Sequence, residues 1–317
     1  MNFPVFDLHC DTSFALLEKD FNQCGSLRSN DGHIDLVRAK QLCGYAQCFA
    51  CFTSDLMTKY TGVTPAEVFA RERAAFTDQV AANSDLIRQA FSAQDIEENQ
   101  KTGMMSGILT VEGPAGFHYD PDALSALYDA GFRITTLGWN ESNPLAGSHI
   151  TGEGLSEQGK AYVREAQRLG MLIDVSHISD AAFWDIMDIT SAPVIASHSN
   201  SRSVWNVSRN LTDEMFAAIC KTGGVVGINL YAGFLGDDPD LDTVCDHILH
   251  FISLDPDVRH IALGGDLDGC EQLPKGFDGV QDYPKLAQRL LERGLSEESV
   301  YNIFWNNALG VIKRCCT

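Results

Sequence analysis

Apolar residues along the chain fall into short, nearly unbroken runs, separated by longer stretches in which they recur at three- and four-residue spacing. The runs cover residues 4–9, 45–52, 107–112, 133–139, 171–177, 193–198, 225–231 and 261–266. Runs of this length predict buried strands. The intervening stretches, among them 122–130, 156–169, 180–189 and 212–221, predict amphipathic helices. Ser156, Ser179 and Thr212 stand where N-caps belong, and Gly170 and Gly223 where helices stop.

Strands without polar alternation are buried on both faces, which calls for a parallel sheet covered by helices. Eight such units predict a closed (β/α)8 TIM barrel. A doubly wound open sheet would place a glycine-rich phosphate turn after the first strand, where this chain has His9-Cys10-Asp11-Thr12. No Pro/Ser-rich linker or low-complexity stretch divides the sequence, so residues 1–317 read as one catalytic domain.

Composition narrows the partners. With 43 acidic against 23 basic residues the net charge is −20, which repels nucleic acid and anionic membranes. No window approaches the roughly 20 apolar residues of a membrane span, and the N-terminus lacks a basic region followed by an apolar core. These features, with ten scattered cysteines and no secretion signal, predict a cytoplasmic protein with reduced thiols. Cys48 and Cys51 are spaced to opposite faces of a strand, which argues against a shared metal.

Candidate chemistry gathers at the strand ends. The first run ends in His9 with Asp11 two residues on, the third in Glu112, the fifth in His177 and the sixth in His198. The eighth ends in Asp266, followed by Asp268. One histidine at a strand end is usually structural, but the C-terminal rim of a barrel is where functional groups collect. Three histidines and several carboxylates exceed the three ligands of a single catalytic zinc. Two cations bridged by a carboxylate fit the count, with zinc first for imidazole and carboxylate donors. Arg209, in the loop after the sixth run, reads equally well as a carboxylate clamp and as a surface arginine. The serines around His198 follow no nucleophile elbow, which disfavours a Ser-His-Asp triad.

With these residues laid out, the chain resembles the membrane dipeptidase (renal dipeptidase) family of zinc peptidases, in a bacterial-type form. The likeness runs from Asp7-Leu8-His9-Cys10-Asp11 to Asn306-Asn307-Ala308-Leu309. It passes through Val111-Glu112-Gly113, Gly154-Leu155-Ser156-Glu157-Gln158-Gly159, Leu172-Ile173-Asp174-Val175-Ser176-His177, Pro193-Val194-Ile195-Ala196-Ser197-His198-Ser199, Ser208-Arg209-Asn210 and Leu263-Gly264-Gly265-Asp266-Leu267-Asp268-Gly269. The resemblance implies a barrel of the metal-dependent hydrolase type with two Zn2+ per chain. It implies that His9 and Asp11 hold one metal, His177 and His198 the other, and that Glu112 bridges them. Arg209 would bind the free carboxylate of a dipeptide and Asp266 would handle protons. Tyr231 falls where the family lines its pocket.

One position departs from the family. Where animal members read Leu-Thr-His, this chain reads Leu137-Gly138-Trp139-Asn140, so the role of that histidine passes to Trp139, to a metal alone, or to His118 or His149. An indole offers one N–H donor and no imidazole chemistry. The expected reaction is dipeptide hydrolysis by a metal-bridging hydroxide, with D-residues at the C-terminal position within reach by family likeness. The competing readings are another binuclear amidohydrolase acting on a cyclic amide, lactone or ester, and a barrel kept as a binding protein. The first would carry His-x-His after strand one and a modified lysine as bridge; the second would have lost ligands. A homodimer is the oligomer that base rates and the family suggest.

Overall fold

The computed structural model describes residues 3–17 and 25–316. Among the described residues there are nine strands: β1 (Val5–Cys10), β2 (Tyr45–Phe52), β3 (Ile87–Gln89), β4 (Met105–Glu112), β5 (Phe132–Thr136), β6 (Leu172–Asp174), β7 (Val194–Ile195), β8 (Val226–Ile228) and β9 (Ile261–Leu263). All strand pairs are parallel, in the order β7-β6-β5-β4-β2-β1-β9-β8. A bridge between Ala196 and Val226 joins the two ends and closes the sheet into an eight-stranded barrel surrounded by helices. The expected TIM barrel is therefore present.

The strand that the hydrophobic pattern did not reveal is β3. It pairs Ile87, Arg88 and Gln89 with Met105, Ser106 and Gly107 on β4. The opposite edge of β4 is fully occupied by β2, so β3 shares an edge with β5, which takes over at Leu109. Three residues with Arg88 exposed leave too short an apolar run to stand out.

The helices follow their sequence signals. Ser156, Ser179 and Thr212 each accept a hydrogen bond from the backbone N–H three residues on, a cap worth about 1 kcal/mol apiece. Gly170 and Gly223 end their helices in the left-handed conformation. The helix expected at 122–130 spans Ala123–Asp129. Cys48 and Cys51 both lie buried in β2 but belong to different apolar clusters, Cys48 with Ile108 and Ile134, Cys51 with Phe69 and Val111. They face opposite sides of the sheet.

Several strands end earlier than the apolar runs suggested. β6 stops at Asp174 and β7 at Ile195, so His177 and His198 stand three residues beyond their ladders, and Trp139 and Asp266 likewise follow β5 and β9. The cause is a set of buried polar side chains that replace ladder bonds. Asp174 Oδ1 accepts from the backbone N–H groups of Ser176 and Ser197 at 2.9 and 2.8 Å. Asn229 Oδ1 accepts from Tyr231 N at 2.6 Å, just past β8. An apolar run continues through such a switch because burial continues; only the hydrogen-bond partners change.

Candidate active site

Glu112, the last residue of β4, stands between two groups of donors. Its Oε2 lies 3.3 Å from His9 Nε2, and its Oε1 lies 3.0 Å from His177 Nε2 and 3.8 Å from His198 Nε2. On the first side, His9 Nε2 is 3.4 Å from Asp11 Oδ2 and 3.8 Å from Asp266 Oδ1. On the second, the Nε2 atoms of His177 and His198 are 2.9 Å apart. All these side chains are buried or nearly so.

Local backbone explains the placement. On β1 the two-residue period puts Asp7 and His9 on one face, and Asp7 Oδ1 accepts from His9 N at 2.9 Å. After Glu112 the chain turns at Gly113, with φ 77°, where a Cβ would stand 2.1 Å from the carbonyl oxygen of Thr53. Only glycine fits both constraints. His177 and Asp266 themselves have positive φ, 71° and 57°, costly for residues with side chains and tolerated where surrounding structure imposes it.

Electrostatics mark the pocket as built for positive charge. Burial, then the charge of Glu112, lifts Asp11 to about 6; burial lifts Asp266 to about 8, helped by Asp11 and Glu112 and opposed by His9. Burial pulls His9 down, but Glu112 and Asp11 outweigh it and hold its pKa high. Burial, with the nearby charges of Arg209 and His9, keeps His177 and His198 far below the usual imidazole range, so each carries a free lone pair. His9 Nε2 and Asp11 Oδ1 are buried without any hydrogen-bond partner. Carboxylates crowded at mutual expense, facing imidazole lone pairs and orphaned donor atoms, fit divalent cations.

Behind His198, Nδ1 lies 2.7 Å from Ser197 Oγ, which in turn donates to Asp174 Oδ2. Asp174 and Ser197 stood inside the motifs quoted above, yet nothing in the sequence marked them as partners of a ligand. Asp268, grouped above with the strand-end carboxylates, belongs to neither donor group. Its Oδ2 accepts from Thr12 Oγ1 at 2.7 Å and its Oδ1 from His33 N at 2.5 Å, so it ties the short helix Thr12–Ala15 to the loop at His33.

Arg209 is buried, which excludes the surface reading. Its Nη1 donates to Ser199 Oγ at 2.8 Å, and its guanidinium carbon lies 5.6 Å from the Phe234 ring centroid. Nε and Nη2, one edge of the guanidinium fork, have no partner. Burial lowers its pKa to about 10 against the pull of Asp266, Asp174 and Glu112. It lines a small cavity of about 10 Å³ behind His177 and not the cavity at the donor groups.

The cavity at the donor groups, about 420 Å³, is lined by Asp11, Glu112, His177 and Asp266 and by Phe14, Phe52, Trp139, Tyr231 and Phe234. Trp139 packs edge-on against Phe52 with ring centroids 5.0 Å apart. His118 is exposed, and both ring nitrogens of His149 are engaged, Nδ1 by Ser208 Oγ and Nε2 by Asn140 Oδ1, each at 3.0 Å. Neither histidine lines the cavity, whereas Trp139 does.

A parallel barrel with imidazole and carboxylate donors gathered around its C-terminal rim is a metal-dependent hydrolase. The chain belongs to the membrane dipeptidase family, peptidase family M19, whose model matches residues 1–316. Its activity is that of a metal-dependent dipeptidase, and the cyclic-amide and binding-protein readings give way. An uncharacterized dipeptidase of Schizosaccharomyces pombe is 32% identical over 333 residues, covering 98% of this chain and 81% of the relative. Among solved structures, dipeptidase AC, a metallo peptidase of family M19, superposes with a TM-score of 0.88 at 26% identity, covering 100% of this chain and 99% of its own. A metallo peptidase from Rhodobacter sphaeroides, liganded with a phosphinate mimic of the dipeptide L-Ala-D-Ala, gives a TM-score of 0.86 at 25% identity, covering 99% of this chain and 100% of its own. No helix among the described residues is long and apolar enough to cross a membrane.

Proposed function

We propose that the chain acts as a single catalytic barrel that hydrolyses dipeptides, D-residues at the C-terminal position included, with two Zn2+ ions. His9 and Asp11 would hold one ion, His177 and His198 the other, and Glu112 both. The observation that carries this reading is the division of Glu112, with one oxygen toward His9 and the other toward His177. When bound, such ions polarise the scissile carbonyl and acidify water. Arg209, whose Nε and Nη2 edge has no partner, would clamp the substrate's terminal carboxylate at two points once its small cavity behind His177 opens toward the donor groups. Asp266, held by Asn229 Nδ2 at 3.0 Å, takes the proton of the attacking water and returns it to the departing amine. Trp139, Phe52 and Tyr231 form apolar walls that exclude water around the substrate. The L-Ala-D-Ala mimic named for the Rhodobacter sphaeroides neighbour supports acceptance of a D-residue.

The free thiols among the described cysteines and the acidic charge support a cytoplasmic protein, and a homodimer is the expected assembly. The test is metal analysis joined to a dipeptide panel. Wild type should carry two zinc ions, lose hydrolysis of L-Ala-L-Ala and L-Ala-D-Ala in chelator, and recover it on zinc addition. Hydrolysis by protein with verified absence of metal would overturn the reading. For Arg209, amidating the substrate's C-terminus should cost roughly 10- to 100-fold in kcat/KM, the worth of a charged hydrogen-bonded contact.

A further inference from the structure

Asn140 follows Trp139 directly, in the loop leaving β5; both line the cavity, and the Asn140 amide reaches His177. Asn140 Oδ1 lies 2.9 Å from His177 Nδ1 and 3.0 Å from His149 Nε2. An amide oxygen only accepts, so both imidazoles donate to it. A neutral imidazole that donates from Nδ1 keeps its lone pair on Nε2, and for His177 that atom faces Glu112 Oε1 and His198 Nε2. His149, donating from Nε2, accepts at Nδ1 from Ser208 Oγ. The arrangement is fastened to the ligand's backbone: His149 N donates to His177 O at 2.8 Å, and Ser148 forms a bridge with Ile178. Ser148 Oγ also donates to Asn140 O at 2.9 Å.

We propose that Asn140, steadied by His149, is a positioning residue that fixes the Nδ1–H tautomer and ring orientation of His177 and so presents Nε2 to the metal. This rests on the reading of His177 as a ligand. It gives the two imidazoles of the second cation different support. His198 is backed by the Asp174 carboxylate through Ser197, whereas His177 is backed by a neutral amide with a second imidazole behind it. Groups hydrogen-bonded to a ligand's distal nitrogen typically govern 10- to 100-fold in metal affinity.

The test uses purified full-length wild type, Asn140→Leu, Asn140→Asp and His149→Phe, titrated with a chromophoric zinc chelator, with metal per chain and stepwise affinities as the readout. The visible spectrum of cobalt-loaded protein reports on coordination independently of activity. Asn140→Leu should weaken one of two sites roughly 10- to 100-fold, leave the other unchanged and alter the cobalt bands. Asn140→Asp, which keeps the acceptor oxygen, should restore them. His149→Phe, which keeps a ring beside His177 and removes only the hydrogen bond to Asn140, should weaken the same site by a smaller factor and carries the test if Asn140→Leu does not fold. Two unchanged affinities and unchanged bands in the leucine and phenylalanine variants would overturn the positioning role alone. A wild type that binds no cation would overturn the metal reading itself.

Discussion

The two donor groups on either side of Glu112 share one device and differ in how much regular strand stands beside it. His9 belongs to a six-residue strand, but its ladder with β2 slips register between Asp7 and Cys10, and the carboxylate of Asp7 takes the N–H groups of His9 and Gly265. His177 and His198 leave strands of three and two residues, and the carboxylate of Asp174 gathers the N–H groups that a longer ladder would have used. A buried carboxylate gathers N–H groups beside each set of ligands, Asp7 for the first and Asp174 for the second, but only the first has a long strand next to it. The second arrangement concentrates more on a single side chain and should fail more selectively when that side chain changes.

The largest effect should come from the residue both groups share. Glu112→Gln should lower kcat/KM on the order of 10³-fold, reflecting the several kcal/mol of Lewis-acid catalysis, and should reduce metal content below two per chain. A variant with full metal content and activity would remove the basis for treating the two groups as one centre.

Asp174→Asn separates them. An amide can replace only part of what the carboxylate accepts, leaving a buried donor without a partner. The expected cost is about 1–3 kcal/mol in unfolding free energy, with metal lost from the His177 and His198 side first. Equal loss from both sides, followed by stepwise metal titration, would show that the groups are not independently supported.

A smaller effect distinguishes the helix packed behind the site. Glu72, in the 18-residue helix Pro65–Ala82, accepts from Phe52 N at 3.0 Å, and its other oxygen is buried without a partner. Burial raises its pKa well above the usual carboxylate range. In metal-free protein the unfolded chain therefore loses this proton first as pH rises above about 4.5, and Glu72 makes stability fall with rising pH until its own folded pKa is passed. Glu72→Gln removes that slope. Its melting temperature relative to wild type, both in chelator, should climb from pH 5 to pH 8; a flat difference would mean the buried group is not titrating.

The smallest effect is expected at β2. Cys48→Ala and Cys51→Ala should each cost about 1 kcal/mol as small cavities and leave metal content unchanged. A loss of metal in either would contradict the separation of the two thiols by the sheet.

Much of this was legible along the chain because it depends on local rules. Near-continuous apolar runs determined strands buried on both faces; Ser156, Ser179 and Thr212 determined where helices begin; and the motifs at the strand ends determined the family and the donor inventory. Only the tertiary structure decided which strand ends are ladder and which are side-chain capped, because apolar patterning records burial and not hydrogen-bond partners. It alone separated Asp268 from the donor groups, buried Arg209, and set Asn140 behind His177. These outcomes depend on contacts between residues far apart in sequence, such as Asp268 with His33 and Asn140 with His177, which no local spacing encodes.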